Sequence, residues 1–202
     1  MKSKLYEEFR DIVNSSNKDL VQENANVDGL SPMGMMLLFA SASAKSFVVD
    51  HLLSEDVQQA YLDGYIHIHD LDFYASGTTT CSQIPLAKVL KGGFNTGHGQ
   101  MREPKSITSA LALTSIIFQS NQNNQHGGQS IPTFDYDLAP FVRLTYEKKK
   151  KMVQELMASD TDEKVIEEKA WKLTDDEVFQ SCEAFIHNSN SMHSRGGKLF
   201  AA

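Results

Sequence analysis

The chain has 202 residues, 26 acidic against 19 basic side chains for a formal net charge of −7, and 41% hydrophobic residues. That length holds one domain with a proper core or part of a larger one, and the acidic balance excludes a general nucleic-acid binder, whose footprint is basic. No run of eighteen apolar residues occurs, and Met1-Lys2-Ser3-Lys4 leads into charged residues, so neither a membrane span nor a secretory leader is expected, and a cytoplasmic location is.

In chain order, Leu5, Phe9, Ile12 and Val13 form one stripe of a short amphipathic helix over residues 2–14. The polar run 14–19 ends it, and Glu23 to Gly29 reads as an irregular connection. Ser31-Pro32 is an N-cap followed by proline at the first helical position, and the apolar run from Met33 to Leu53 carries small residues from Ala40 to Ala44. A helix apolar on most sides is expected to be buried, with a waist that lets another element approach closely. Ser54 caps the next helix, Glu55 to Asp63, and Gly64 stops it.

Gly64-Tyr65-Ile66-His67-Ile68-His69-Asp70-Leu71-Asp72 then alternates Tyr65, His67 and His69 with isoleucines, which predicts a strand with both imidazoles on one face. If the chain folds back, Cys81 joins the same pocket. The competing reading is a pair of hydrogen-bonded structural histidines. With Cys182 as the second cysteine, far along the chain, a disulfide framework or zinc knuckle is excluded.

Ile84 to Lys91 reads as a short helix opened by Pro85, and Gly92 to Gly99 places four glycines in eight residues. Such a loop allows close backbone approach to a ligand and can aim amide groups at phosphate, although it lacks the Lys-Ser/Thr of a P-loop. Pro104-Lys105-Ser106 opens an internal helix from Ile107 to about Asn121. Its far end, Gln119 to Ser130, is dense in amide side chains and contains His126-Gly127-Gly128-Gln129; a ligand-facing loop is favoured over a polar low-complexity tract.

Asp135 to about Ala158 forms a long helix with Leu138, Phe141, Val142, Leu144 and Tyr146 inward and Lys148 to Lys151 solvated. Ser159-Asp160-Thr161-Asp162 breaks and recaps it; a second helix follows, and Thr174-Asp175-Asp176-Glu177 has the capping pattern that begins a third. Cys182 shares an apolar stripe with Phe179 and Phe185, which makes it a packing residue.

Taken together, Glu23-Asn24-Ala25-Asn26, the His67 segment, Thr80-Cys81, Gly93-Phe94-Asn95-Thr96-Gly97-His98-Gly99, Pro104-Lys105-Ser106-Ile107, His126 to Pro132 and Asn190-Ser191-Met192-His193-Ser194-Arg195 resemble the anaerobic (class III) ribonucleoside-triphosphate reductases, which are glycyl radical enzymes. The resemblance runs from about residue 20 to 195 in the family's motif order. It implies an α/β fold, the N-terminal portion of a ten-stranded α/β barrel that is largely helical here, so that residues 1–202 form a partial catalytic barrel domain without the ATP cone, finger loop or glycyl radical domain. It implies reduction of ribonucleoside triphosphates to deoxyribonucleoside triphosphates by radical chemistry, with deoxynucleoside triphosphates as effectors, a homodimer and a radical-SAM activating protein; no cofactor is expected in these residues themselves, the family's glycyl radical, formate as reductant and structural zinc depending on segments or partners that find no match here.

On the matched positions, Cys81 resembles the barrel-wall cysteine that takes part in reducing the radical intermediate. His67 matches the histidine that faces substrate, with His69 and Asp70 in support. Asn95, His126, Gly127, Gly128 and Gln129 are assigned to substrate binding, and Lys105 and Lys148 to the effector site. The finger-loop cysteine, the zinc cysteines and the radical glycine of the family find no match, so this polypeptide alone is expected to be inactive. Two other readings compete: a non-catalytic nucleotide-binding or dimerising remnant, and a metal-dependent hydrolase using His67, His69, Asp70 and Asp72.

Overall fold

The computed structural model describes residues 4–14, 31–125, 127–194 and 197–198. In chain order the elements are α1 (Lys4–Asn14), α2 (Pro32–His51), α3 (Glu55–Leu62), a 3-10 turn (Leu71–Phe73), β1 (Ser82–Gln83), α4 (Leu86–Leu90), β2 (Phe94–Asn95), β3 (Gln100–Met101), α5 (Ile107–Gln122), β4 (Gln129–Ser130), α6 (Phe134–Leu156), α7 (Glu163–Ser191), β5 (His193–Ser194) and β6 (Gly197–Lys198). Among the described residues the fold is mostly helical, with three two-stranded pairs: β1 with β4 in parallel, and β2 with β3 and β5 with β6 antiparallel. The chain divides into two compact units, one of residues up to Thr79 with His193–Lys198, the other built on Thr80–Met192. The irregular connection read over residues 23–29 lies outside the described residues.

In the first unit, α1 lays Phe9 against Phe39 of α2 with ring centroids 4.4 Å apart. The start of α2 follows its sequence: Ser31 is extended, its Oγ accepts the Gly34 N–H at 3.0 Å, and Pro32 sits in the first turn. Its packing departs from expectation. Gly34, Leu38, Val48 and Val49 are buried, whereas Met33, Met36, Leu37 and Phe47 are exposed. Mean hydropathy reports how apolar a helix is, not which sides its own chain covers. By length and composition α2 is also apolar enough to cross a membrane, because Ser41, Ser43, Lys45 and Ser46 interrupt the apolar run without lowering its average far.

The small core here is Val48, Val49 and Leu71, with Leu53, Tyr61 and Ile68 around it. Helix α3 ends on Gly64 in the left-handed region (φ +77°). The Gly64 N–H donates to Tyr61 O (3.1 Å) and the Tyr65 N–H to Ala60 O (2.9 Å), the paired bonds of a Schellman cap. That cap corrects the predicted strand. It turns the first residues back onto α3, the chain through Ile68 forms no ladder, and Asp70 adopts a left-handed conformation (φ 51°) ahead of the 3-10 turn.

The second unit is a three-helix packing around α5, whose Ile107, Ala110, Leu111, Thr114, Ser115, Ile117 and Phe118 are buried. Ser106 caps it, accepting the Ser109 N–H while Ser109 Oγ accepts the Ser106 N–H. Leu86 and Leu90 of α4 and Leu138 and Phe141 of α6 complete the core. On α6 the inward stripe runs Leu138, Phe141, Thr145, Val153, so Leu144, predicted inward, stands at its edge and is exposed. Tyr146 instead stacks on Trp171 at 4.3 Å.

Asp162 caps α7 by accepting the Lys164 N–H at 2.9 Å. The predicted break at Thr174 does not occur. Thr174 Oγ1 donates to Ala170 O (2.7 Å) inside one continuous helix, an i−4 bond that occupies the hydroxyl that would have capped a new start. Glu177, the other half of that pattern, reaches away to Lys149 Nζ (2.7 Å) and accepts from Thr108 Oγ1 (3.0 Å). Lys150 likewise binds Glu163 (2.6 Å) and Glu167 (3.0 Å), so part of the lysine block is tied to α7, while Lys148 and Lys151 are exposed. Cys182 is half-buried against the core with Phe185, as its stripe implies, but Phe179 is exposed.

Burial opposes the charge on Glu177, yet hydrogen bonds from Lys149 and Thr108, with the charges of Lys149 and Lys148, hold its carboxyl below the ordinary value of 4.5. A depressed carboxyl contributes stability above its unfolded-chain value and loses it as pH falls through the folded one. Glu177→Gln is therefore expected to lower stability at neutral pH by about 1 to 2 kcal/mol. In urea titrations it should also lose less stability than the parent on acidification; equal losses would exclude the ion pair as the source.

Candidate functional site

Cys81 is exposed and unbridged, and stands immediately before β1. Ser82 and Gln83 of β1 pair in parallel with Gln129 and Ser130 of β4. The Ser82 N–H donates to Gly128 O (3.0 Å) and the Ile84 N–H to Ser130 O (2.8 Å).

Amide side chains hold this pair against the end of α5. Gln129 is fully buried; its Nε2 donates to Phe118 O (2.9 Å) and its Oε1 accepts from Asn121 Nδ2 (2.9 Å). Asn121 Nδ2 also lies 2.8 Å from Gln125 Oε1 and 3.3 Å from Ser82 Oγ, and Ser82 Oγ donates to Gln125 Oε1 at 2.5 Å. Gln125 Nε2 in turn reaches Gly127 O (3.0 Å) and Gly128 O (3.3 Å). The predicted ligand-facing tract thus turns several of its amides inward, because a buried helix end and a two-residue strand pair need donors and acceptors that water does not reach. Gln129 in particular is corrected from a ligand-facing to an internal side chain. His126 lies outside the described residues.

Gly127 (φ +131°) is required twice over. Its conformation is one that side-chain-bearing residues rarely adopt, and a Cβ there would collide with the Thr80 carbonyl oxygen while standing 3.2 Å from Cys81 Sγ. The glycine loop between β2 and β3 bonds to itself: Asn95 Oδ1 accepts the Gly97 N–H (2.7 Å), Thr96 Oγ1 the His98 N–H (3.4 Å), and Glu103 the Gly92 N–H (3.1 Å). A Cβ on Gly93 would meet the Met101 carbonyl oxygen. The close approach read from this loop is therefore made by its own backbone, and Asn95 caps its turn.

His67, His69 and Asp70 belong to the other unit. Both imidazoles are exposed on one side, edge to face with centroids 6.3 Å apart, so the shared face survives the loss of the strand. His69 Nδ1 lies 2.8 Å from Asp70 Oδ2, and Ser41 Oγ donates to Asp72 Oδ2 at 2.8 Å. Among the described residues no three His, Cys, Asp or Glu side chains gather as a metal requires, so the hydrolase reading gains no ligand set. Lys105 is exposed ahead of the α5 cap, with its backbone N–H on Ser109 Oγ (3.2 Å), and Lys148 is exposed on α6.

Sequence reasoning did not single out Asn121 or Ser82, and missed the strand pair they support. A signal was present. The register of β1 on β4, continued forward, aligns Ile84-Pro85 with Ile131-Pro132, each followed by a helix. Two short polar segments ending in Ile-Pro before a helix are a repeat that two-residue strands conceal from periodicity.

Gly127→Ala is expected to cost about 1 to 3 kcal/mol from backbone strain, to separate β4 from the Thr80 carbonyl, and to change the reactivity of Cys81. Thermal denaturation with thiol titration checks this; an unchanged midpoint and thiol rate would contradict the contact.

A sequence profile of the anaerobic ribonucleoside-triphosphate reductases matches residues 23–200. The anaerobic ribonucleoside-triphosphate reductases of Salmonella typhimurium and Escherichia coli are each 33% identical over 198 residues, covering 98% of this chain and 27% of theirs. That of Enterobacteria phage T4 is 28% identical over 192 residues, 95% of this chain and 31% of its own. The crystal structure of the anaerobic ribonucleotide reductase from Thermotoga maritima in complex with dATP and CTP is similar in fold, with a TM-score of 0.62 at 12% identity over 100% of this chain and 36% of that one. The chain spans about a quarter of the length of the Salmonella and Escherichia relatives. It belongs to the anaerobic ribonucleoside-triphosphate reductase family.

Proposed function

We propose that these residues form the N-terminal, nucleotide-facing part of an anaerobic ribonucleoside-triphosphate reductase, acting in the cytoplasm on ribonucleoside triphosphates and without nucleic acid or membrane. The observation that carries the reading is the position of Cys81: an exposed thiol at the mouth of a parallel strand pair, within a chain whose family match spans residues 23–200. In support, β1 and β4 read as neighbouring staves of the ten-stranded α/β barrel, each passing through Ile-Pro into a helix.

Cys81 suits the reductive half of the reaction, because a polarizable sulfur gives up a hydrogen atom readily to a carbon radical on the ribose. His67, exposed beside His69, suits protonation of the 2′-hydroxyl as it leaves as water. Gly127 and Gly128 keep the backbone beside Cys81 free of side chains, Lys105 and Lys148 are exposed cations for deoxynucleoside triphosphate effectors, and the exposed apolar side of α2 suits a homodimer. The family's glycyl radical, installed by a radical-SAM activating protein, supplies the oxidising step, with formate as reductant. Cys182, the second thiol of the chain, is half-buried against the core, and these residues are expected to act within a longer assembly and to be inactive alone.

The test is thermal denaturation of the chain with and without CTP, ATP and dATP. A nucleotide at about 100 times its dissociation constant should add about 2.7 kcal/mol to stability. The gain should disappear with His67→Ala for CTP and with Lys105→Ala for dATP. No gain with any nucleotide would overturn nucleotide binding. A gain, combined with full activity of a Cys81→Ser reductase, would leave the non-catalytic nucleotide-binding reading.

A further inference from the structure

Three segments meet at Ser82, the residue after Cys81: β1 itself, the turn through Gln125, and β4 through Gln129. One atom touches all three, the carboxamide nitrogen of Asn121 in the last turn of α5, at 2.8 Å from Gln125 Oε1, 2.9 Å from Gln129 Oε1 and 3.3 Å from Ser82 Oγ. The three atoms facing it are all oxygens. The centre therefore has to be a donor, and a neutral amide supplies two hydrogens where a carboxylate supplies none.

From Asn121 the connection runs outward in two short steps. Gln125, its Oε1 held by Asn121 and Ser82, turns its Nε2 to the carbonyls of Gly127 and Gly128. Gly127 in turn lies so close to the Thr80 carbonyl and to Cys81 Sγ that it has no room for a Cβ. The thiol is exposed on one side and confined on the other by a turn whose place depends on the Asn121 amide.

We propose that Asn121 is a positioning residue for Cys81, fixing the sulfur at the mouth of the β1–β4 pair through Ser82, Gln125 and Gly127. The proposal rests on Cys81 being the reactive cysteine, and it adds a residue whose identity sequence reasoning took for part of a ligand-facing tract.

The experiment measures the reaction of the whole 202-residue chain with 4,4′-dithiodipyridine from mildly acidic to neutral pH, with Cys81 and Cys182 resolved by peptide mass spectrometry. Asn121→Ala should change the Cys81 rate about threefold to tenfold, the factor that corresponds to losing one hydrogen bond, and leave Cys182 unchanged. Asn121→Asp should lie between the parent and the alanine variant at acidic pH, where its protonated carboxyl still donates one hydrogen, and move to the alanine rate as it ionises. That step should fall above the usual carboxyl range of about 4, because three oxygens face the charge.

A merely structural role would accelerate both cysteines together and give no pH step. Either result, or a parent-like Cys81 rate in both variants, overturns the proposal. The readout does not use ribonucleotide reduction, so a reductase that keeps turnover with Cys81→Ser removes the catalytic reading while leaving the clamp intact.

Discussion

The first N–H of α5 is buried away from water, and the hydroxyl of Thr145 on α6 accepts it at 2.9 Å while donating to Phe141 O at 2.9 Å. A helix surrounded on nearly every side must find partners at its ends within the protein, since an unsatisfied buried donor costs about 1 to 3 kcal/mol. At its start α5 is further tied by Thr108 to Ser181 (2.8 Å) and Glu177 on α7. At its finish the Phe118 carbonyl and Asn121 receive Gln129 of β4. The same helix thus sets the spacing of α6 and α7 at one end and the place of the strand pair at the other, which links core packing directly to the surroundings of Cys81.

The two cysteines show what that arrangement does to chemically identical groups. Cys182 lies on the face of α7 turned toward Phe185 and the core, where a thiol is a small hydrophobe. Cys81 sits where the chain passes from one compact unit to the other, exposed before β1 and bounded by a glycine. Access, not residue type, separates filler from candidate reagent.

Legibility in the sequence followed the range of the interactions involved. The starts of α2, α5 and α7 were readable because their caps lie within a few residues: Ser31 with Gly34, Ser106 with Ser109, Asp162 with Lys164. The His67 strand failed because alternation records which side chains share a face but not whether the backbone has a neighbour to pair with, and the Gly64 cap had already turned the chain. Thr174 failed because a capping residue and a mid-helix threonine bonded to its own helix look the same in sequence. The amide tract was noticed for its composition, yet the direction of Gln129 is decided by Phe118 and Asn121, and the family resemblance located Cys81 without revealing what holds it.

The parallel pairing of β1 with β4 also orders events in time. Two parallel strands cannot be joined by a tight turn, and the connection from Gln83 to Gln129 contains α4, the β2–β3 hairpin and the whole of α5. Closing so long a loop is entropically unfavourable until the intervening helix has packed. The capped helices, with their local contacts, can form first, and the two-residue ladder beside Cys81 last. By the same logic it is among the first parts of its unit to open, so the sulfur's surroundings are assembled and released by the most delayed step of folding, while the helices beneath stay in place.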